Sequence, residues 1–422
     1  MEEEDLINLE IEIHDTVDKY LFENGIQQCY PEFYKTMVDK ITEEYLENLI
    51  CIGFIEAEND QYEKVFKKFR KQVHVFTKNY FTILGIPRRS YQNPRYNVLN
   101  KGFIKDQIEN LSTSTQLVQR TPEWYQFRHN LITASNIWKA IGSEANQNSL
   151  ILEKCKPMIT ESYDTTSVNT DSPMHWGVKY EPLTIMLYEH RIHGKVGEFG
   201  CIQHPVYPFI GASPDGIVIS EESSAYGRML EIKNVVSREI TGVPKMDYWV
   251  QMQVQMEVCN LNECDFVETQ FKEYDEIDEE LFYKNKHKYL YNGVILYFIK
   301  SDFADGKPHY VYMPLNVHLD KDLIGQWIHD KKKEMNETHI LFKCIYWYCE
   351  AYSCVLVKRN RYWFEMALPK IQELWNTVEK ERVTGYEHRK PKKRVADKKC
   401  LISKLVREEV EQSENVLSTE NL

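Results

Sequence analysis

No stretch of this 422-residue chain approaches the roughly 20 apolar residues of a membrane-spanning helix, which argues against a membrane protein. The start, Met1-Glu2-Glu3-Glu4-Asp5, lacks the positive and apolar regions of a secretory signal, so a soluble, intracellular protein is expected. No Cys-x-x-Cys pair occurs among the ten cysteines, and without an export signal these are expected as reduced thiols instead of a disulfide framework. Cys344, Cys349 and Cys354 recur at intervals of five and invite an iron–sulfur or zinc reading. Their segment, Phe342 to Val357, is aromatic and β-prone, so buried structural thiols are expected there. Positive charge is short: 52 Lys and Arg stand against 64 Asp and Glu, a net charge of −12. That balance argues against a chain that coats nucleic acid, but not against a local basic channel beside an acidic metal site. Basic clusters at Lys64 to Lys71, Arg88-Arg89, Lys331 to Lys333 and Arg389 to Lys399 read, taken singly, as solvated faces. Internal repeats are absent.

The chemistry-bearing residues concentrate around Gly211-Ala212-Ser213-Pro214-Asp215-Gly216 and Leu230-Glu231-Ile232-Lys233. If Met229 to Asn234 is a strand, Glu231 and Lys233 share one face while Leu230 and Ile232 take the other, separating chemistry from packing. Two carboxylates suit Mg²⁺, a hard cation that takes oxygen ligands and keeps several waters. A neighbouring ammonium can orient an attacking water or stabilise phosphoryl oxygens, so metal-assisted phosphodiester hydrolysis is the reaction class indicated. A hairpin turn followed by a strand with a surface ion pair would produce the same local pattern.

Three further segments bear on that choice. In His175-Trp176-Gly177-Val178-Lys179-Tyr180-Glu181, Glu181 is expected near the start of an apolar helix, either as a third acidic group or as a first-turn partner of the helix dipole. Thr121-Pro122 reads as a helix start followed by Arg128, and Thr133 as the cap of a second helix stopped at Gly142, with Ser135 in its exposed first turn. Arg128 and Ser135 together could hold a terminal phosphate; two capped helices and a surface Arg is the alternative. From Tyr248 to Val258, Val250, Met252, Val254, Met256 and Val258 alternate with polar residues at a strand period, whereas Gln, Met and Glu favour a helix that would put Gln251 and Gln255 on one face.

In order and spacing, Trp124, Arg128, Ile132 to Ser135, Gly177 with Glu181, Ala212 to Gly216, Leu230 to Lys233 and Tyr248 to Gln253 resemble the lambda-exonuclease or YqaJ-like viral recombinase family, a branch of the PD-(D/E)xK nucleases. The resemblance covers about Gln119 to Glu381. It implies an α/β fold, with a central mixed sheet flanked by helices, and a helical assignment for Tyr248 to Val258. It also implies that Asp215 and Glu231, with the Ile232 carbonyl, ligate Mg²⁺, with Mn²⁺ as a substitute. Lys233 would activate the water, Gln251 would support it, and Glu181 would stand near the metal waters. Arg128, Ser135 and Ser213 would hold the 5′-phosphate. The implied activity is 5′-to-3′ exonucleolytic degradation of one strand at double-stranded DNA ends, for recombination or repair by strand annealing. A structure-selective endonuclease and a non-catalytic DNA-binding scaffold are the alternatives. A single-strand annealing protein is an implied partner, a homo-oligomer is left open, and a viral origin would put the protein in the host cytoplasm or nucleus.

Three regions are expected along the chain: a helical accessory region at 1–115, a nuclease domain at 116–384, and a basic then acidic disordered tail at 385–422. Helical spacing of Met37, Val38, Ile41 and Tyr45, and of Tyr62, Val65, Phe66 and Phe69, supports the first. Pro87 to Lys101 reads as a linker or an extended crossing segment. Strands are expected at Tyr207 to Ala212, Met229 to Lys233, Asp265 to Phe271, Gly293 to Ile299 and His309 to Met313, and a strand followed by a helix from Val357 onward. The basic run of the tail reads as an import signal or a DNA tether, with a short amphipathic helix around Leu401 to Val410.

Overall fold

The structure, a computed structural model, describes residues 3–53, 60–92, 100–114, 117–119, 121–158, 169–170, 172–275, 279–301 and 307–390. The expected tail helix around Leu401 to Val410, most of the basic run and the centre of the Pro87 to Lys101 segment lie outside these residues.

Helices α1 (Glu3–Asn24), α2 (Phe33–Cys51) and α3 (Asp60–Ile83) open the chain. Their apolar positions recur every three to four residues, so each buries one stripe. Ile13, Val17, Leu21, Met37, Val38, Ile41, Val73 and Phe76 close on one another as a helical core of their own. After α3, Tyr91 crosses in extended form and exchanges two backbone hydrogen bonds of 2.8 Å with Leu356.

The remaining elements are α4 (Lys101–Thr113), α5 (Pro122–His129), β1 (Ile132–Thr133), α6 (Ala134–Ile137), α7 (Glu144–Cys155), α8 (Pro173–Ile192), β2 (Val196–Gly197), β3 (Ile202–Gln203), β4 (Ile210–Ala212), β5 (Gly216–Val218), β6 (Met229–Asn234), α9 (Met246–Cys259), β7 (Glu263–Glu273), α10 (Glu279–Lys284), β8 (Asn292–Lys300), β9 (His309–Tyr312), α11 (Lys321–Met335), β10 (His339–Lys358) and α12 (Arg361–Thr384). Seven strands form a mixed sheet in the order β2-β5-β6-β7-β10-β8-β9, in which only β6 and β7 run parallel. A small sheet, β1-β4-β3, sits beside it. Helix α8 packs against β6, while α9 packs against β7, β10 and β4, so the sheet carries helices on both sides. This is the α/β architecture with a helical N-terminal region expected from the sequence.

Two local expectations are corrected. The helix bearing Glu181 begins at Pro173, capped by the Ser172 hydroxyl 3.1 Å from the His175 N–H, and continues through Pro182. Glu181 therefore lies mid-helix, and the first-turn reading of it fails. The second helix start does fall after Thr133, but the Thr133 hydroxyl makes no capping bond and lies 3.1 Å from the Ser135 hydroxyl.

The ambiguous Tyr248 to Val258 segment is helical. Its strand-like alternation arises because α9 is enclosed on nearly every side: Val250, Met252, Val254, Met256 and Val258 are buried, and so are Gln253 and Gln255. A helix hydrophobic around its circumference belongs in a core and loses the one-sided period. Cys344, Cys349 and Cys354 are free thiols on β10 that pack into three different apolar clusters. Neighbours five residues apart on an extended strand stand roughly 16 Å from one another, too far to share one metal centre.

Candidate active site

Asp215 ends the turn before β5 and Glu231 lies on β6, the two strands forming an antiparallel hairpin. Gly216 beside Asp215 is required by space: a Cβ there would meet the Val196 side chain of β2 at 2.2 Å. The Asp215 N–H donates to the Leu230 carbonyl at 3.2 Å, and the Ile232 N–H donates to Asp215 Oδ2 at 2.7 Å. As the strand period predicts, Leu230 and Ile232 turn into an apolar cluster with Tyr188 and Val267, and Glu231 and Lys233 take the opposite face.

Glu231 is completely buried. Its Oε1 is paired with Lys233 Nζ, and its Oε2 accepts from both Gln251 Nε2 and Gln255 Nε2 at 2.8 Å. Gln255 also donates to the Ser213 carbonyl at 3.3 Å, tying the acidic turn to α9. These donors replace the water a buried carboxylate would otherwise need. Gln255 had no assigned role in the sequence reading; its i, i+4 relation to Gln251 was the available signal, usable once the segment is taken as helix. Tyr248 was also missed as a neighbour of the site: Lys233 Nζ lies 4.9 Å from its ring centroid.

Burial pushes the Asp215 carboxyl well above the ordinary carboxylate range, the Glu231 charge adds to this, and Glu181 contributes further; Lys233 and the Ile232 amide act in the opposite direction. Burial also disfavours the Lys233 ammonium, but Glu231 and Asp215 outweigh it and raise its pKa. Asp215 and Glu231 thus face one lysine, with Glu181 adding negative charge on the Asp215 side, a surplus that a hard cation would relieve. Among the described residues no three His, Cys, Asp or Glu side chains are grouped to hold a metal ion. Asp215 and Glu231 form an all-oxygen pair that fits a hard divalent ion, provided a backbone oxygen such as that of Ile232 completes the set.

A cavity of about 710 Å³ joins this acidic centre to the anion-binding candidates, with Arg128, Trp124, Ser213, Asp215, Glu181 and Glu198 in its wall. Arg128 is carried by α5, whose start is built as expected: the Thr121 hydroxyl accepts from the Trp124 N–H at 3.3 Å and Pro122 occupies the first turn. The guanidinium stacks 4.5 Å from the Trp124 ring centroid and donates to the Ser213 hydroxyl at 3.3 Å. Arg128 and Ser213 are therefore neighbours. Ser135, the second residue of the four-residue α6, is exposed and is not in that cavity wall.

The site is thus built on a mixed sheet whose β5–β6 hairpin sets Asp215 in the cavity wall, with Glu231 buried behind it and paired with Lys233. Over residues 123–262 the chain matches the model of the YqaJ-like viral recombinase domain. It is 27% identical over 329 residues to an uncharacterised protein of Acanthamoeba polyphaga mimivirus. That match covers 69% of this chain and 57% of the relative, so the chain spans a little over half of that relative's length. Among solved structures it is similar to an alkaline exonuclease from Laribacter hongkongensis, at 20% identity and a TM-score of 0.37, covering 62% of this chain and 94% of the other. A second similar structure is a phage-related exonuclease from Haemophilus somnus 129PT, at 15% identity and a TM-score of 0.30, covering 60% of this chain and 93% of the other. Among the described residues no helix is long and apolar enough to cross a membrane.

Proposed function

We propose that this chain is a divalent-metal-dependent deoxyribonuclease that degrades one strand of double-stranded DNA from its 5′ end. The observation that carries the reading is the single cavity shared by Arg128, Ser213, Asp215 and Glu181, which sets an anion anchor beside an acidic metal centre. Asp215 and Glu231, with the Ile232 carbonyl, would hold Mg²⁺ or Mn²⁺, which supplies Lewis acidity and a low-pKa water when bound. Lys233 carries a firmly held positive charge toward the reacting phosphate. Gln251 and Gln255 fix the Glu231 carboxylate in one orientation. Arg128 with Ser213 would hold the terminal 5′-phosphate, since a guanidinium stacked on an indole offers its N–H fork in one fixed plane, and Ser135, outside that cavity wall, would join them only from the start of α6. Residues 1–115 act in this reading as an accessory unit, and a single-strand annealing protein would take the strand left behind.

Digestion of linear duplexes with and without a 5′-phosphate, and of a closed circle, in Mg²⁺ or EDTA, tests the proposal. Metal-dependent release of mononucleotides from phosphorylated ends, with the circle intact, is expected. Cuts in the circle would replace the exonuclease with an endonuclease on the same residues, and no degradation at all would make the chain a binding scaffold.

A further inference from the structure

A second cleft, of about 780 Å³, lies where the N-terminal helices meet the sheet, and its wall shares no residue with the acidic cavity. One side is the end of α3 with the turn after it, and the other is the junction of β7 and β10. Its wall brings together Lys78, Arg88, Arg89 and Lys358 with the rings of Tyr34 and Tyr91. Elsewhere basic clusters behave as solvated faces: Arg70 pairs with Asp39, Lys67 with Glu63 and Lys331 with Glu334. The Arg88-Arg89 pair differs. The Arg88 guanidinium and the Lys358 ammonium lie 6.0 and 5.5 Å from the Tyr91 ring centroid. Arg89 spends its terminal nitrogens on the Cys29 and Pro244 carbonyls, and its buried Nε has no hydrogen-bond partner among the described residues. Burial lowers the Arg89 pKa to about 10, with Cys29 and Glu32 opposing it. Thr77, 1% exposed and in the same wall, likewise has a buried hydroxyl without a partner. Glu263 lies in this wall and is paired with Arg228, Glu257 is paired with Arg359, and Glu32 adds a negative charge that acts on Arg89.

A cleft of this volume is of ligand-binding size. Cations alternating with aromatic rings match a phosphate beside a stackable base, and unpartnered buried polar groups in the wall are groups a ligand would satisfy. We propose that this cleft binds a nucleotide unit of nucleic acid, with its phosphate on Lys78, Arg88 and Lys358 and its base against Tyr34 or Tyr91. The ligand is either a residue of a single strand or a free mononucleotide.

The test is fluorescence anisotropy of a labelled ten-residue oligothymidylate with the full-length protein in EDTA, where cleavage does not intervene. Wild type should bind, and the Lys78→Ala, Arg88→Ala double variant should lower the log-affinity against log-salt slope by roughly 1.4, the value for two single-strand phosphate contacts. Both residues are exposed, so the fold should persist. Thr77→Val should weaken binding without lowering the melting temperature, because the hydroxyl it removes has no protein partner. Displacement of the oligonucleotide by thymidine monophosphate identifies a free nucleotide as the ligand, and resistance to it identifies the strand; either supports the proposal. No binding by wild type, or coincident salt slopes for wild type and the double variant, overturns it. None of these outcomes depends on whether the chain cleaves DNA, so this inference and the proposed nuclease activity fail separately.

Discussion

The acidic cleft around Asp215 and the basic cleft around Arg89 bury charge in opposite ways. In the first, a carboxylate at 0% exposure is surrounded by donors that all point at it: one lysine and two glutamines on Glu231, and a backbone amide on Asp215. In the second, a guanidinium is held by carbonyl oxygens, which orient it without cancelling its charge, and an adjacent threonine hydroxyl is left over. Both clefts keep a buried polar atom without a partner among the described residues, Gln255 Oε1 in the first and Arg89 Nε with the Thr77 hydroxyl in the second; they differ in the sign of the charge at their centre, negative in the first and positive in the second. A cation suits the first and an anion the second.

The strongest way to break this contrast is to remove a charge from the acidic cleft. Asp215→Ala or Lys233→Ala should lower the rate of metal-dependent degradation by on the order of 10² or more, with fold and duplex binding kept. Retained activity in either folded variant would move the chemistry elsewhere. Next in size, Arg128→Ala should reduce cleavage of 5′-phosphorylated ends by roughly 10- to 100-fold relative to hydroxyl ends, since a hydrogen bond to a charged group contributes about 1.5–3 kcal/mol. Equal slowing on both ends would make Arg128 a general DNA contact.

A smaller effect sharpens the comparison directly. Gln255→Leu should destabilise the protein by about 1–3 kcal/mol in urea unfolding, because it strips a donor from a buried carboxylate, whereas Thr77→Val should not destabilise it. If both cost the same, the difference between used and unused polar groups is wrong. The smallest effect serves as a reference outside both clefts. Glu381 is bound by Arg389, whose hydrogen bonds hold its carboxyl below the usual range. A depressed carboxylate contributes stability that is fully present above its unfolded pKa near 4.5 and is lost as pH falls through its lower folded value. Wild type should exceed Glu381→Gln by about 1 kcal/mol at neutral pH, and the gap should close on acidification. A gap independent of pH would show that Arg389 is held by something other than that charge.

Much of the candidate site was legible in the sequence because its signals are local. The Glu231-x-Lys233 pair needs only a strand to share a face, and each of the five expected strands overlaps one of β4, β6, β7, β8 and β9, with β4 starting three residues later than expected and β9 ending one residue earlier. The start of α5 was readable from Thr121-Pro122, since a cap and its first turn lie within four residues. Glu181 was misplaced because a helix can run through a proline when tertiary packing supports it. The period of α9 misled for the same kind of reason: enclosure on all sides removes the stripe that marks a helix.

By itself, the sequence determined the residue types, the strand that puts Glu231 and Lys233 on one face, and the helical character of α1, α2 and α3, all of which follow from contacts a few positions apart. Only the tertiary structure decided that Gln255 supports Glu231, that Arg128 meets Ser213, and that Arg88-Arg89 enters a cleft with Thr77 and Lys358 instead of lying on a solvated face. Those pairings join residues from 11 to 270 positions apart. Such contacts form only when whole elements pack, and no local period or propensity records which elements will meet.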